Sequence, residues 1–166
     1  MEMMENLDFR RKVMEKHIKA GLNYCYQCNR CTEKCPVATT IGEDKYNPRK
    51  LILHSFLGFL DNIMPKEVGD VKLWGCTYCD SCDEVCPNEI ELTEIFYLIK
   101  NMLAQKKQVP EFYLTQAKTI MENGKAIPIM DAIIRRREQM GLPVIPSPDL
   151  SKVQTIMKET GMEKIV

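Results

Sequence analysis

The chain has 166 residues, enough for one ordinary domain with a hydrophobic core and a smaller extension, but too few for two large independent domains. Lysine plus arginine and aspartate plus glutamate both number 23, so the formal net charge is zero and bulk electrostatics give no reason to expect nucleic acid as a partner. The first residues lack the apolar region of a secretory signal, and the longest apolar run, residues 51–60, is too short and interrupted to span a membrane, which predicts a cytoplasmic protein without membrane contact.

Apolar residues recur at three- and four-residue steps along most of the chain, and no segment shows the alternation that is typical of a β-strand. We therefore predict an all-α fold. Helix ends are indicated by glycines that follow apolar helical stretches and by Asn47-Pro48, which is typical of an N-cap followed by a first-turn proline. The predicted helices cover residues 5–20, 48–57, 91–106, 110–123, 130–140 and 149–160.

The last third of the chain differs from the rest because it contains no cysteine and is interrupted by prolines. The segment GLPVIPSPDL, residues 141–150, has three prolines and is predicted to be extended. We place a compact domain at residues 1–108 and a helical and extended arm at residues 109–166, which we expect to dock onto partner proteins.

All eight cysteines lie in two runs of identical spacing, CYQCNRCTEKCP at residues 25–36 and CTYCDSCDEVCP at residues 76–87. Disulfides explain this pattern poorly, since no cysteine lies outside the runs, nothing in the sequence indicates export, and a chain of this size does not need covalent cross-links to fold. The repeated spacing therefore favours metal ligation.

Each run has the pattern C-x2-C-x2-C-x3-C-P, which is known from bacterial ferredoxins with two [4Fe–4S] clusters. In those proteins the fourth cysteine of one run binds the cluster of the other run. The same rule predicts two ligand sets here: Cys25, Cys28, Cys31 and Cys86 for the first [4Fe–4S] cluster, and Cys76, Cys79, Cys82 and Cys35 for the second. Structural zinc is the alternative, but zinc sites usually show two CxxC pairs rather than this doubled run.

Charged residues differ between the two runs. The first run has mostly basic neighbours, including Arg30, Lys34 and Arg49. The second run is acidic, with no nearby cation before Lys100, and its acidic residues are Asp80, Asp83, Glu84, Glu89 and Glu91. Because an added electron is stabilised by positive charge, this difference predicts a higher reduction potential for the first cluster.

The 40 residues between the runs, 36–75, are predicted to contain a helix and not the strands of small bacterial ferredoxins. In this respect the chain resembles the α-helical ferredoxin domain of the succinate dehydrogenase iron–sulfur subunit and its relatives. The segments NYCYQCNRCTEKCP and LWGCTYCDSCDEVCPNEIEL, with no further cysteine-rich domain, most resemble the C subunits of soluble heterodisulfide reductases. The resemblance covers about residues 22–108 and includes all eight cysteines.

This resemblance implies an electron-relay subunit of a cytoplasmic oxidoreductase complex, without catalysis of its own. The implied partners are a flavin-containing, electron-bifurcating A subunit and a catalytic B subunit that reduces the heterodisulfide of coenzyme M and coenzyme B in methanogens, with a hydrogenase or formate dehydrogenase as the upstream donor. The residues alone support only the relay, since no cysteine is left for thiol chemistry and no G-x-G nucleotide motif is present.

Two other functions stay open on the sequence. One is the iron–sulfur relay of a membrane-linked dehydrogenase or reductase of the succinate dehydrogenase type. The other is a zinc-dependent scaffold with no redox role.

Overall fold

The computed structural model describes residues 2–16, 21–66 and 70–166, except for the side chains of residues 2–6 and 16, and every regular element in those ranges is helical. The α-helices are α1 Glu2–Lys16, α2 Arg30–Glu33, α3 Pro36–Ile41, α4 Pro48–Leu57, α5 Ser81–Glu84, α6 Leu92–Gln105, α7 Glu111–Asn123, α8 Asp131–Gln139 and α9 Leu150–Glu159. Short 3₁₀ turns cover Leu22–Tyr24, Leu60–Asn62, Lys72–Gly75 and Met162–Lys164. The predicted all-α class is confirmed.

The bounds of the longer helices follow their predicted caps closely. Helix α4 covers the predicted residues 48–57, since the Asn47 side chain accepts the backbone N–H of Lys50 at 2.9 Å and Gly58 ends the helix with a φ of 82°. Helices α6 to α9 each begin and end within one residue of the predicted bounds. The predicted end of the first helix, residues 17–20, lies outside the described residues.

The chain divides into two compact units, Met1–Met102 and Leu103–Val166. The division falls within α6, whereas we predicted a boundary after residue 108. In the second unit α7 packs against α9, and the proline-containing segment between α8 and α9 has no regular structure from residue 142 to residue 149. The Asp149 side chain begins α9 by accepting the backbone N–H groups of Ser151 and Lys152.

The first unit is built around a helical core into which both cysteine runs are set. Helix α1 packs against α4, and α4 packs against α2 and the turn at Leu22–Tyr24. The fully buried side chains of this unit include Val13, Ile52, Ile63, Leu73, Ile90, Ile95, Phe96 and Ile99. The single turns α2 and α5, one from each cysteine run, pack against each other. This contact brings together two runs that lie far apart in the sequence.

Candidate metal centres

A cavity in the first unit is lined by cysteines from both runs. Cys25, Cys28 and Cys31 come from the first run, and Cys86 comes from the second. The empty volume is about 390 Å³, including the part that opens to solvent. Its other lining residues include the apolar Ile52, Pro87, Ile90 and Leu92. A partly enclosed cluster of thiols with an apolar wall suits an iron–sulfur cluster, which is held by thiolates and sheltered from water.

Local hydrogen bonds hold the end of the second run beside the first. The side-chain amide of Asn88 donates to the backbone carbonyl of Tyr24, the residue before Cys25. The backbone N–H of Ile90 donates to Cys86 Sγ at 3.3 Å. Both contacts lie within four residues of Cys86, so they fix the position at which its sulfur enters the cavity.

Three of the remaining cysteines, Cys35, Cys76 and Cys82, form a second group around Tyr46. This side chain is only 2% exposed, and burial raises the pKa of its hydroxyl far above the ordinary range, with further contributions from Cys76, Cys35 and Cys82. The side chains of Tyr46 and Cys76 interact, which further raises the pKa of the Tyr46 hydroxyl and favours the thiolate form of Cys76. Cys35, Cys76 and Cys82 are themselves buried. The group again mixes the runs, because Cys35 belongs to the first.

Cys79 is the exposed member of the second run, and its Sγ lies 3.5 Å from Ser81 Oγ. Within the part of the chain that the structure describes, no three cysteine, histidine or carboxylate side chains form a group that could hold a single metal ion. The grouping of the cysteines therefore depends on the cavity at Cys25 and on the surroundings of Tyr46.

The thiol pKa values differ with burial. Burial raises the pKa of Cys31 to about 11, and it also raises the pKa of Cys76 and, together with the nearby Asp83 carboxylate, that of Cys82. The pKa of Cys79 is lowered instead, chiefly by hydrogen bonding to Ser81. Metals bind the thiolate form, so at the buried positions metal binding must displace a proton that the protein environment retains.

The two runs share the same backbone conformation. Gln27 and Tyr78, which are 51 residues apart, both have a φ of 55°, and Asn29 and Asp80, at the same separation, have φ values of 71° and 58°. Left-handed conformations at residues other than glycine are uncommon and tend to occur at functional sites. They turn the chain sharply between successive cysteines in each loop.

In each half of the cluster domain, the residue after the third cysteine ties the loop to a longer helix further along the chain, α4 or α6. In the first half, Thr32 Oγ1 donates to Asn47 Oδ1 at 3.0 Å and accepts the backbone N–H of Arg49 at 3.2 Å. In the second half, Asp83 Oδ1 accepts the backbone N–H groups of Leu92 at 2.8 Å and Thr93 at 3.2 Å. Each cysteine loop is thus anchored to the first turn of α4 or α6.

Two cations lie against the loops, through contacts that the cysteine spacing does not indicate. Lys100 is 6% exposed and its Nζ donates to the backbone carbonyl of Cys76 at 2.9 Å. Burial lowers the pKa of Lys100, while the Cys76 sulfur opposes that shift. Arg49 lines the first cavity and donates to the side chains of Asn29 and Gln27.

Comparison with known proteins agrees with this geometry. Residues 21–90, which contain all eight cysteines, match the 4Fe-4S dicluster domain family. The chain is therefore an iron–sulfur protein that carries two [4Fe–4S] clusters, and it is not the zinc-dependent scaffold that the sequence left open.

Relatives along nearly the whole chain define the family more closely. The C subunit of the H(2):CoB-CoM heterodisulfide,ferredoxin reductase of Methanothermobacter marburgensis is 31% identical over 97% of this chain and 87% of its own length. The iron–sulfur C 2 subunit of the CoB--CoM heterodisulfide reductase of Methanocaldococcus jannaschii is 29% identical over 98% of this chain and 86% of its own. A third relative, the C2 subunit of the H(2)/formate:CoB-CoM heterodisulfide,ferredoxin reductase of Methanococcus maripaludis, is 30% identical over 92% and 81%. The chain belongs to the family of heterodisulfide reductase C subunits.

Among the helices described, none is both long and apolar enough to cross a membrane.

Proposed function

We propose that this chain is the electron-relay subunit of a heterodisulfide reductase complex and performs no catalysis of its own. It receives electrons from a flavin-containing A subunit and passes them to a B subunit that reduces the heterodisulfide of coenzyme M and coenzyme B. The cavity lined by cysteines of both runs carries this proposal, because it provides a thiolate-lined, partly apolar site for a one-electron carrier. The [4Fe–4S] clusters supply the electron-transfer chemistry, and the residues of the chain hold them and limit the access of water.

We assign the ligands across the two runs. Cys25, Cys28, Cys31 and Cys86 hold the first cluster, which the shared cavity supports. The second cluster is held by Cys76, Cys79, Cys82 and Cys35. Three of these four cysteines, Cys76, Cys82 and Cys35, lie close enough to Tyr46 to raise the pKa of its hydroxyl. Packing of α2 against α5 is the reason that the runs can exchange their fourth cysteines.

Substitution of the fourth cysteines tests the assignment. Cys35→Ser should remove or convert the second cluster and leave the first intact, although Cys35 lies in the first run. Cys86→Ser is the matched variant and should do the reverse. Iron and sulfide analysis of the anaerobic proteins should fall from about eight of each per chain toward about four if one cluster is lost, and electron paramagnetic resonance identifies which cluster remains. Damage confined to the cluster of the substituted residue's own run would contradict the crossed assignment.

The C-terminal residues 109–166 are the part of the chain that we propose as the docking arm. Several apolar side chains there are exposed, among them Phe112, Ile127, Met130, Met140 and Val144, of which Val144 is 89% exposed. Contiguous patches of exposed apolar side chains are typical of partner-binding surfaces, so the number of such side chains in this short segment supports docking. The names of the relatives from Methanothermobacter and Methanococcus include H(2) and formate, which supports a hydrogenase or formate dehydrogenase as the upstream donor.

Co-purification tests the partners. The full chain should bring down the A and B subunits together, whereas a chain truncated after Pro110 should retain both clusters and lose at least one of these partners. Loss of iron from the truncated chain would show that the arm belongs to the cluster fold. Capture of a haem or membrane-anchor subunit by the full chain would favour the relay of a membrane-linked dehydrogenase instead.

A further inference from the structure

The two halves of the cluster domain each place one cation against their own cysteine loop. Arg49 lies in the first turn of α4, the helix that Thr32 anchors to the first loop. Lys100 lies in the third turn of α6, the helix that Asp83 anchors to the second loop. The cations come from different helix positions, but each contacts the loop of its own half.

Arg49 acts on the first loop through side-chain amides. Its Nε donates to Asn29 Oδ1 at 3.1 Å, and its Nη1 lies 3.4 Å from Gln27 Oε1. The other end of the Gln27 amide, Nε2, donates to Cys25 Sγ at 3.2 Å. A positive charge at the oxygen of this amide polarises the group and strengthens the hydrogen bond that its nitrogen gives to the sulfur.

Lys100 acts on the second loop directly. Its Nζ donates to the Cys76 carbonyl at 2.9 Å and lies 4.4 Å from the ring centroid of Tyr78 and 5.4 Å from that of Trp74. Tyr78 occupies the same repeat position as Gln27, so both cations contact the residue two places after the first cysteine of a run. The contact atoms and the helix positions differ between the halves, but in each half one cation lies against the cysteine loop.

We propose that Lys100 raises the reduction potential of the second cluster and that Arg49 raises the reduction potential of the first. This inference rests on the crossed ligand assignment only in so far as it places Cys76 at the second cluster and Cys25 at the first. Addition of one electron makes a thiolate-bound cluster more negative, so a nearby fixed cation favours the reduced form. Lys100 has the larger effect, since it is buried and Arg49 is half-exposed.

The test measures potentials in the full chain. In Lys100→Met, at a solution potential near the wild-type midpoint of the second cluster, the ratio of reduced to oxidised second cluster should fall about tenfold, which corresponds to a midpoint lower by about 59 mV for one electron. In Arg49→Met the same ratio for the first cluster should fall about threefold. Lys100→Arg retains the charge and should keep the second potential near its wild-type value. Lys12→Met removes an exposed lysine of α1 and should change neither potential.

Anaerobic titrations followed by electron paramagnetic resonance give the two midpoints, with the signals assigned from Cys35→Ser and Cys86→Ser. A selective shift of one cluster by each cation supports the proposal. Unchanged midpoints in chains that keep both clusters, or an equal shift in Lys100→Arg and Lys100→Met, would overturn it. If Lys100→Met loses iron, Lys100→Arg and Arg49→Met test the proposal instead. An unchanged midpoint potential of the first cluster in Arg49→Met would then refute the role proposed for both cations. If Lys100→Met instead shifts the cluster that Cys86→Ser damages, the ligand assignment is at fault.

Discussion

Gly75 stands directly before Cys76, and its lack of a side chain is required by the close approach of Tyr46. A Cβ added at Gly75 would lie 2.8 Å from Tyr46 Cδ2, 3.1 Å from Tyr46 Cε2 and 3.2 Å from Val71 Cγ2. The Tyr46 ring is 2% exposed, so it has little room to move away. Gly75→Ala should therefore displace the tyrosine whose hydroxyl favours the thiolate form of Cys76.

Two opposing effects set the size of the expected change. Overpacking of a filled core costs about 1–3 kcal/mol. Replacement of glycine by alanine, where the backbone permits it, stabilises by about 0.4–1 kcal/mol because it restricts the unfolded chain. The steric effect is the larger, so we expect a net loss of about 1–2 kcal/mol. Displacement of the Tyr46 hydroxyl should also lower the potential of the second cluster, since a group that favours the thiolate form of Cys76 also favours the more negative, reduced cluster.

Denaturant unfolding of the anaerobic protein, followed by helix signal and by cluster absorbance, measures the first effect. Tyr46→Phe is the matched variant, because it retains the ring and removes the hydroxyl. It should lower the potential of the second cluster as Gly75→Ala does, but with a smaller loss of unfolding free energy. Combination of Gly75→Ala with Tyr46→Ala should cost less than the sum of the two single changes, because the clash is then absent. A Gly75→Ala protein as stable as the wild type, or strictly additive costs, would refute this account of the packing.

Two further predictions concern the anchors between loop and helix. Asp83→Ala removes the acceptor of two backbone N–H groups at the start of α6 and should destabilise the protein by about 1–2 kcal/mol, whereas Asp83→Asn should retain much of the stability in the same denaturant titration. Thr32→Val keeps the shape of a fully buried side chain but leaves the Arg49 N–H without its acceptor, and should cost about 1–3 kcal/mol; a neutral effect would show that this hydrogen bond contributes nothing to the fold.

Helix bounds could be predicted where local chemistry decides them. Asn47, Pro48 and Gly58 fix α4 through contacts within a few residues, so its bounds are visible in the sequence. The buried face of α1 does not follow from apolar spacing alone, because an apolar period can be matched in more than one phase. Leu7 and Val13 are both apolar, yet Leu7 is 60% exposed, whereas Phe9, one turn before Val13, is 4% exposed.

The candidate site divides in the same way. Cysteine spacing predicts which residues belong to the clusters, since three ligands of each set lie within one short loop. Tyr46 and Lys100 could not be found from spacing, because they contact Cys76 from 30 residues before it and 24 residues after it. Only the packing of α4 and α6 around the loops determines such contacts. The division of the eight cysteines into two sets of four stays a prediction.

Lys100 also affects the difference between the reduction potentials of the two clusters. The sequence predicts a lower potential for the second cluster because Asp80, Asp83, Glu84, Glu89 and Glu91 lie in or just after its run. The structure leaves four of them exposed, but Asp83 is half-buried, and its Oδ1 lies 3.3 Å from Cys82 Sγ. Exposed charges are screened over about 10 Å at ordinary ionic strength, whereas a buried lysine at the Cys76 carbonyl is screened much less. Lys100 therefore opposes both the exposed anions and the half-buried Asp83, and the difference between the potentials is smaller than these anions alone would produce. If the first cluster is the higher, as the charges predict, Lys100→Met should widen the difference and Arg49→Met should narrow it.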